Sequence, residues 1–200
     1  VKGRRGIYKR IEAVFSINNS PVVWIHCASL GEFEQARPLI EILKREYNGL
    51  KILLTFFSPS GYEVRKNYDK ADMVAYLPWD TASNALKLVS IVKPSIAIFV
   101  KYEYWFHYTN ELKKKGVPIV SISSIFRKDQ LFFKSYGGFY QRILKNFSHF
   151  FVQNDVSLRL LRSIGIEQCS VAGDTRFDRV NEIVKRAEEI PIANKFKSGQ

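Results

Sequence analysis

The 200-residue sequence contains few of the residues that usually bind metals or form disulfides. Its two cysteines, Cys27 and Cys169, belong to no CxxC pair or Cys/His cluster, so we expect buried free thiols. The three histidines, His26, His107 and His149, lack spacings such as HxxxH that are typical of metal sites. The sequence therefore predicts no metal site.

Long apolar runs and dinucleotide-binding glycine patterns are also missing. No stretch of about 18 apolar residues occurs, so no segment of this sequence is expected to span a bilayer. The pattern GxGxxG is absent, which argues against a nicotinamide or flavin dinucleotide. We expect no cofactor.

Negative charge is scarce compared with positive charge. The chain has 31 Lys and Arg against 19 Asp and Glu, a net charge of +12. This balance favours anionic partners, which include nucleic acid, phosphorylated ligands and acidic lipid head groups. A nucleic-acid partner ranks lowest, because no RNA- or DNA-binding motif is present. The 46% of hydrophobic and 25% of charged residues are typical of a folded globular chain.

Seven short apolar runs alternate with segments of helical periodicity. The runs are residues 22–28, 51–57, 73–78, 95–100, 117–123, 149–153 and 169–173. Most are continuously hydrophobic, as parallel strands covered on both faces are. Helices are predicted over 34–47, over 80–92 with Asp80 or Thr81 as the cap, and over 110–116. The pattern predicts an α/β fold, a Rossmann-like doubly wound parallel sheet whose site lies at the carboxyl ends of the strands.

The ends of the chain suggest a larger protein. Residues 1–20 are predicted to form a lead helix that follows a missing membrane-proximal segment, because the sequence starts with Val1 rather than Met. Residues 21–190 are predicted to be the domain itself, with a final helix after Gly173. Residues 191–200 are expected to begin a linker to a missing second domain.

The first strand-to-helix loop contains Ser29, Gly31 and Glu32. We expect the backbone to turn tightly at Gly31 and Glu32 to lie in the first helical turn. Helix N-terminal amides favour anions, so Glu32 is expected to be ionised at neutral pH and able to act as a general base. The alternative is a capping carboxylate, a role for which Glu34 competes.

The second loop places Ser58, Ser60 and Gly61 before a helix expected to start near Tyr62. Hydroxyls and free amides at a helix start can hold an oxyanion or a phosphate. An ordinary Ser/Pro helix start explains the same residues equally well.

The fourth loop combines Glu103 with Lys101, Trp105 and His107. A carboxylate among aromatic side chains is typical of a sugar site, because aromatic faces pack on sugar rings and carboxylates bind their hydroxyls. The alternative is that Glu103 only pairs with Lys101.

The fifth loop mixes basic and aromatic residues. They are Arg127, Lys128, Lys134, Arg142 and Lys145 with Phe126, Phe132, Phe133, Phe139 and Tyr140. Basic residues beside exposed aromatics favour an anionic membrane surface. Single-stranded nucleic acid is the alternative.

Seven segments, in order, resemble one family. They are WIHCASLGEFEQARPLI, TFFSPSGYEVRK, YLPWD, KPSIAIFVKYEYWF, GVPIVSIS, FFVQND and VAGDTRFD. Over about residues 20–180 the chain is similar to the amino-terminal half of the 3-deoxy-D-manno-octulosonic acid (Kdo) transferases of Gram-negative bacteria, which add Kdo to the lipid A precursor.

The resemblance implies an inverting, metal-independent glycosyltransferase of the two-domain GT-B type, with CMP-Kdo as donor and Glu32 as the base. This chain would be the acceptor-binding half, at the cytoplasmic face of the inner membrane, and the missing carboxy-terminal domain would hold most contacts to CMP-Kdo. Ser29 and Gly31 would shape the turn, while residues 58–61, Glu103 and Arg127 would contact the acceptor.

The sequence departs from the family pattern at two loops. Members often have Glu-Thr-Glu before the tryptophan, whereas Lys101 and Tyr102 precede Glu103 here, and Phe106 stands where many have Pro. A common Asn-Ala-Arg is replaced by residues 123–125. Arg127 can substitute for the missing arginine from a shifted position. If Glu32 is only a cap, the alternative is a noncatalytic module that binds glycolipid or a membrane surface.

Overall fold

The computed structural model describes Arg4, residues 6–17 and residues 19–174. Seven parallel strands form one sheet in the order β3-β2-β1-β4-β5-β6-β7. The strands are β1 (Val22–Cys27), β2 (Lys51–Phe56), β3 (Met73–Tyr76), β4 (Ile96–Val100), β5 (Ile119–Ser124), β6 (His149–Val152) and β7 (Cys169–Val171). All seven predicted strands are confirmed, as is the Rossmann-like doubly wound α/β class.

Helices connect consecutive strands, as a parallel sheet requires. They are α1 (Ile7–Phe15), α2 (Leu30–Glu46), α3 (Pro59–Arg65), α4 (Ala82–Val92), α5 (Phe106–Lys114), α6 (Gly138–Leu144) and α7 (Asp155–Ser163), with a 3₁₀ turn over Leu131–Phe133. Helices α2 and α5 begin four residues before their predicted starts, at Leu30 rather than 34 and at Phe106 rather than 110. The final helix predicted after Gly173 and the linker over 191–200 lie outside the described residues.

The sheet order reverses beside β1. Strands β2 and β3 extend from one side of β1, and the chain then crosses to β4 on the other side, so that Val23 pairs with both Ile52 and Ile96. The two loops that leave β1 and β4 therefore diverge to opposite faces and leave a crevice between them. Open α/β sheets bind ligands in this crevice.

The core is densest around β1. All six residues of β1 are buried, and the fully buried Trp24 makes edge contacts with Phe99 at 5.4 Å and Tyr108 at 5.5 Å between ring centroids. Helix α1 adds Ile7, Ile11 and Phe15 to the same core. Burying one large apolar side chain contributes about 1.5–3 kcal/mol, so this cluster fixes the central strands firmly.

Two residues at the carboxyl edge have left-handed backbones. Lys101, directly after β4, has φ 62°, and Ser123, the second-last residue of β5, has φ 52°. The Lys101 N–H still donates to Ile122 O at 3.0 Å, and the β5–β6 register shifts between Ser121 and Ser124. Such conformations cost about 1–3 kcal/mol each in non-glycine residues and concentrate at functional sites.

Both cysteines are buried and free, which confirms the prediction. In the described part of the chain, none of the helices has the length and hydropathy that crossing a membrane would need.

Candidate active site

The two carboxylates singled out from the sequence meet at the crevice between β1 and β4. Glu32 lies in the first turn of α2, which follows β1, and Glu103 lies in the loop that follows β4. Their strands are paired neighbours, so both loops leave the sheet at the same edge. Glu103 is close enough to Glu32 to raise its pKa.

Glu32 binds the amides at the start of its own helix. Ser29 is the N-cap residue, with an extended backbone (φ −137°, ψ 171°), and Glu32 is the third helical residue. Its Oε2 accepts a hydrogen bond from the Ala28 N–H, and the Ser29 amide also donates to the carboxylate. Within the described residues the Ser29 hydroxyl caps none of these amides. Glu32 therefore does cap the helix, as in the reciprocal half of a capping box.

Burial shifts the protonation equilibrium of Glu32 away from the ionised form that the sequence suggested. Its pKa is raised to about 7, first by desolvation and then by the Glu103 charge, and these outweigh the amide hydrogen bonds and the charge of Lys101. Glu32 was expected to be ionised at neutral pH even when partly buried, and this is wrong because desolvation and the Glu103 charge together outweigh the amide hydrogen bonds. A carboxyl group with a pKa near 7 populates both protonation states at neutral pH, which suits a general base.

Gly31 does not make the predicted tight turn. It is the second residue of α2, it is absent from the described glycines with positive φ, and a Cβ there would meet only Ser29 Oγ, at 4.0 Å. The chain turns instead at the extended Ser29. The prediction for Gly31 is wrong because a helix can start directly from an extended N-cap residue.

Glu103 is held by two nitrogen donors. Its Oε2 accepts a hydrogen bond from Trp105 Nε1 at 2.7 Å and lies 3.2 Å from His26 Nε2, and its side chain is 13% exposed. Among the described residues its partner is His26 rather than Lys101, with which the alternative interpretation had paired it. Because both contacts fall on Oε2, no residue that the structure describes occupies Oε1, and its lone pairs are open to a ligand.

Glu103 is hydrogen-bonded to a buried polar network that was not predicted from the sequence. His26 is fully buried within β1, and its Nδ1 lies 2.9 Å from Thr55 Oγ1 on β2. The indole Nε1 of Trp24 donates to the same Thr55 oxygen at 2.8 Å. The signal was present, because a titratable residue inside a continuous apolar strand needs buried partners.

The loop after β2 lies beside the loop after β1. The Ser58 N–H donates to Ala28 O at 2.8 Å, and the Ser58 and Ser60 hydroxyls lie 2.7 Å apart. Helix α3 starts at Pro59, three residues before the predicted start near Tyr62. Gly61 packs on Phe56, where a Cβ would lie 2.2 Å from Cδ1, so packing explains this glycine.

An aromatic surface borders the Glu103 side of the crevice. The Phe57 ring contacts Trp105 at 5.0 Å and Trp79 at 5.4 Å between centroids. Arg4 places its guanidinium 4.9 Å from the Phe57 centroid and 4.8 Å from that of Trp79. Trp79 is 62% exposed, so a flat apolar face is open to solvent near the carboxylates.

Arg127 lies at the same edge of the sheet, in a different depression. A cavity of about 410 Å³ is lined by Tyr102, Tyr104, Arg127, Asp129, Gln130 and Phe132. Glu32 is not among these lining residues. Arg127 is exposed, and its backbone N–H donates to Gln130 Oε1 at 3.0 Å.

The basic and aromatic segment after β5 is only partly on the surface. Phe126 is buried and stacks on Tyr104 at 5.7 Å, so its predicted exposure is wrong: packing against Tyr104, in the loop after β4, and Phe150 on β6 takes the ring into the core. Exposed apolar side chains do accompany the basic ones. They are Leu131, Tyr136, Phe139 and Tyr140, near Lys128, Arg142 and Lys145.

No metal site is found within the described ranges, where no three His, Cys, Asp or Glu side chains form a group that could hold an ion. The chemistry available at the crevice is proton transfer by Glu32 and hydrogen bonding by Glu103 and the serine hydroxyls.

Comparisons with known proteins identify the family of this chain. The family model described as 3-deoxy-D-manno-octulosonic-acid transferase (kdotransferase) matches residues 1–179. A 3-deoxy-D-manno-octulosonic acid transferase of Rickettsia bellii is 26% identical over 198 residues, which cover 96% of this chain and 47% of the relative. That of Aquifex aeolicus is 36% identical over 101 residues, which cover 50% of this chain and 28% of the relative.

Solved structures show the fold alone. UDP-N-acetylglucosamine 2-epimerase from Rickettsia bellii has a TM-score of 0.64 at 12% identity, covering 90% of this chain and 52% of the epimerase. The chain therefore spans about half the length of the two Rickettsia bellii proteins, each of which matches it over nearly its whole sequence. With the family model matched across nearly all of it, the chain belongs to the 3-deoxy-D-manno-octulosonic-acid transferase family.

Proposed function

We propose that this chain is the acceptor-binding domain of an inverting glycosyltransferase, which moves Kdo from CMP-Kdo to the lipid A precursor with Glu32 as general base. The observation that carries the proposal is a half-buried carboxyl group with a pKa of about 7, at the sheet crevice, in a member of the Kdo transferase family.

The proposed reaction is a single displacement. An acceptor hydroxyl attacks the anomeric carbon of Kdo and gives its proton to the Glu32 carboxylate. The bond from that carbon to the phosphate oxygen of CMP breaks, and its electron pair leaves with CMP. The Ala28 and Ser29 amides bind the Glu32 carboxylate, and within the described residues its remaining lone pairs are open to the hydroxyl proton. Positioned proton transfer of this kind contributes about 10²–10⁴-fold in rate.

Residues around Glu32 supply contacts for a phosphorylated sugar. Glu103 Oε1 can accept from a sugar hydroxyl, and the Ser58 and Ser60 hydroxyls lie beside the β1–α2 loop. Arg127 offers positive charge at the same edge. No metal or cofactor enters the proposal, and the carboxy-terminal domain of the parent protein binds most of CMP-Kdo.

The location proposed for the protein is the cytoplasmic face of the inner membrane, either peripheral or anchored by a preceding segment. The exposed Tyr136, Phe139 and Tyr140 beside Arg142 and Lys145 support contact with an anionic bilayer. Amphipathic surfaces with this composition bind at the interface of acidic lipids.

The test uses the full-length parent protein with CMP-Kdo and a lipid A precursor. Glu32→Gln keeps an acceptor for the Ala28 N–H and removes the base, so we expect kcat to fall roughly 10²- to 10⁴-fold with an unchanged fold. The matched control is Glu34→Gln on the same helix, whose carboxylate pairs with Arg65 at 2.8 Å. Near-normal turnover by Glu32→Gln would remove the proposed base.

The capping geometry of Glu32 favours one other candidate, a noncatalytic module that binds glycolipid or a membrane surface. It predicts that the chain binds vesicles containing acidic lipids and that full-length Glu32→Gln keeps its activity. A loss of transfer in that variant, with vesicle binding retained, would exclude it.

A further inference from the structure

Three hydrogen-bonding side chains form a network that connects the core to Glu103. Trp24 Nε1 donates to Thr55 Oγ1 at 2.8 Å, Thr55 Oγ1 lies 2.9 Å from His26 Nδ1, and His26 Nε2 lies 3.2 Å from Glu103 Oε2. Trp24, Thr55 and His26 are each 1% exposed or less. No step of the proposed reaction uses the network of Trp24, Thr55 and His26. Such a buried polar network is costly unless every member is satisfied.

The distances along the network favour one tautomer of His26. An indole N–H only donates, so Thr55 must accept from Trp24, and its own proton is then free to be donated. His26 Nδ1 at 2.9 Å is a better acceptor than Ile25 O at 3.4 Å. With Nδ1 accepting, the neutral ring carries its proton on Nε2 and donates it to Glu103.

We propose that His26 is a positioning residue, whose Nε2–H, with the indole of Trp105, holds Glu103 as an anion that faces Glu32 and leaves Oε1 for the acceptor sugar. Two donors on Oε2 leave no place for a proton on that atom. In many enzymes a carboxylate orients a histidine ring through a hydrogen bond. Here the roles are exchanged, and a buried histidine orients a carboxylate.

The inference deepens the proposed function, and it rests on it for the consequence in catalysis. The Glu103 charge is one of the two causes that raise the pKa of Glu32. The other groups that act on this pair are Lys101, whose charge lowers the pKa of Glu32, and Cys27, a buried thiol whose own pKa is raised by burial and by both carboxylates. Tyr104 is a further, half-buried neighbour, and its phenol pKa is raised mainly by desolvation and to a smaller extent by Glu103.

The first experiment needs no activity. Nitrogen-15 chemical shifts of the 200-residue chain report the His26 tautomer, and carbon-13 shifts of the glutamate carboxyl groups report the titration of Glu32. We expect a proton on Nε2 and none on Nδ1, and a Glu32 midpoint that moves to lower pH in His26→Leu. Thr55→Val should weaken the tautomer preference. A proton on Nδ1 in the wild type would overturn the inference.

The second experiment measures the full-length parent enzyme. His26→Leu fills the strand with an apolar side chain of similar size and removes the donor, so we expect kcat to fall roughly 10- to 100-fold. The acid limb of the pH–rate profile of His26→Leu should shift to lower pH, toward that of Glu103→Gln. His26→Gln places an amide N–H near the position of Nε2 and should restore most of the activity.

His149→Leu is the matched control, because His149 also bonds a hydroxyl, Ser170 Oγ at 2.8 Å, but on β6 at the opposite end of the strands. Wild-type kcat and pH limb in His26→Leu would contradict the positioning role. If instead Glu32→Gln stays active, the proposed function fails while the tautomer and the Glu32 titration still decide the inference.

Discussion

Gly61 lies directly against the ring of Phe56, and a Cβ built on Gly61 would be 2.2 Å from Phe56 Cδ1. Phe56 is fully buried at the end of β2, so its ring has little room to move. This contact gives Gly61 a structural reason that Gly31, in the first turn of α2, does not have.

We therefore expect Gly61→Ala to destabilise the protein by about 1–3 kcal/mol, the usual cost of forcing a side chain into a packed core. Gly31→Ala is the control: with open space at its Cβ, the helix preference for alanine should leave stability unchanged or raise it by up to about 1 kcal/mol. Urea denaturation measures both. Equal effects in the two variants would contradict the packing argument.

The raised pKa of Glu32 predicts a dependence of stability on pH. The folded carboxyl group has a pKa of about 7 against 4.5 in an unfolded chain, so the folded state binds its proton more tightly. The unfolded chain ionises first as the pH rises, and stability falls from about pH 4.5 to 7 and is level above.

Glu32→Gln removes this cost. Because Glu32 is partly exposed, we expect the variant to be more stable than the wild type by only about 1–2 kcal/mol at pH 8. At pH 5 the two should be nearly equal. Glu34→Gln, which breaks the ion pair with Arg65, should show no such gain at pH 8. Urea midpoints at the two pH values decide between a buried charge and a solvated one.

Asp80 caps a helix far from it in sequence. Its Oδ2 accepts from the His107 N–H and its Oδ1 from the Tyr108 N–H, both at 3.1 Å, while Thr81 caps the adjacent α4 through Asn84 N at 3.2 Å. Asp80→Ala should cost about 1–2 kcal/mol, and Asp80→Asn less, because one oxygen remains. Thermal unfolding measures the loss, and Thr81→Ala gives the reference value for a local cap.

Lys93 ends α4 with a left-handed backbone (φ 45°, ψ 57°) and an exposed side chain. Glycine adopts this conformation without the Cβ penalty, so Lys93→Gly should stabilise the protein by about 1 kcal/mol. Lys115 ends α5 with φ −83°, and Lys115→Gly should bring no gain. A stabilisation of the same size in both variants would show that the gain came from the lost charge.

The sequence was sufficient for the sheet because continuous apolar runs determine buried parallel strands locally. It was also sufficient to bring Glu32 and Glu103 to one edge, since carboxyl ends of parallel strands always meet there. The protonation of Glu32 was not predictable, because the burial and the Glu103 charge that raise its pKa are properties of the folded state.

Long-range contacts explain the other differences. Asp80 or Thr81 was expected to cap α4, and Thr81 does so. Asp80 caps α5 instead, because the β3–α4 loop packs on that helix start. Phe126 was expected on the surface, and Tyr104 and Phe150 enclose it. The role of His26 required knowing that Thr55 and Glu103 lie on the strands or loops at its two sides.

Strands β1 and β4 are interior strands, each hydrogen-bonded to a neighbour on both sides, whereas β3 and β7 are the sheet margins. Partial opening of a domain begins at margins and spares the most enclosed ladder. Amide protons of β1 and β4 should accordingly exchange with deuterium last. The segments that carry Glu32 and Glu103 thus follow strands that open only on global unfolding. The distance between the two carboxyl groups is therefore preserved during local unfolding elsewhere.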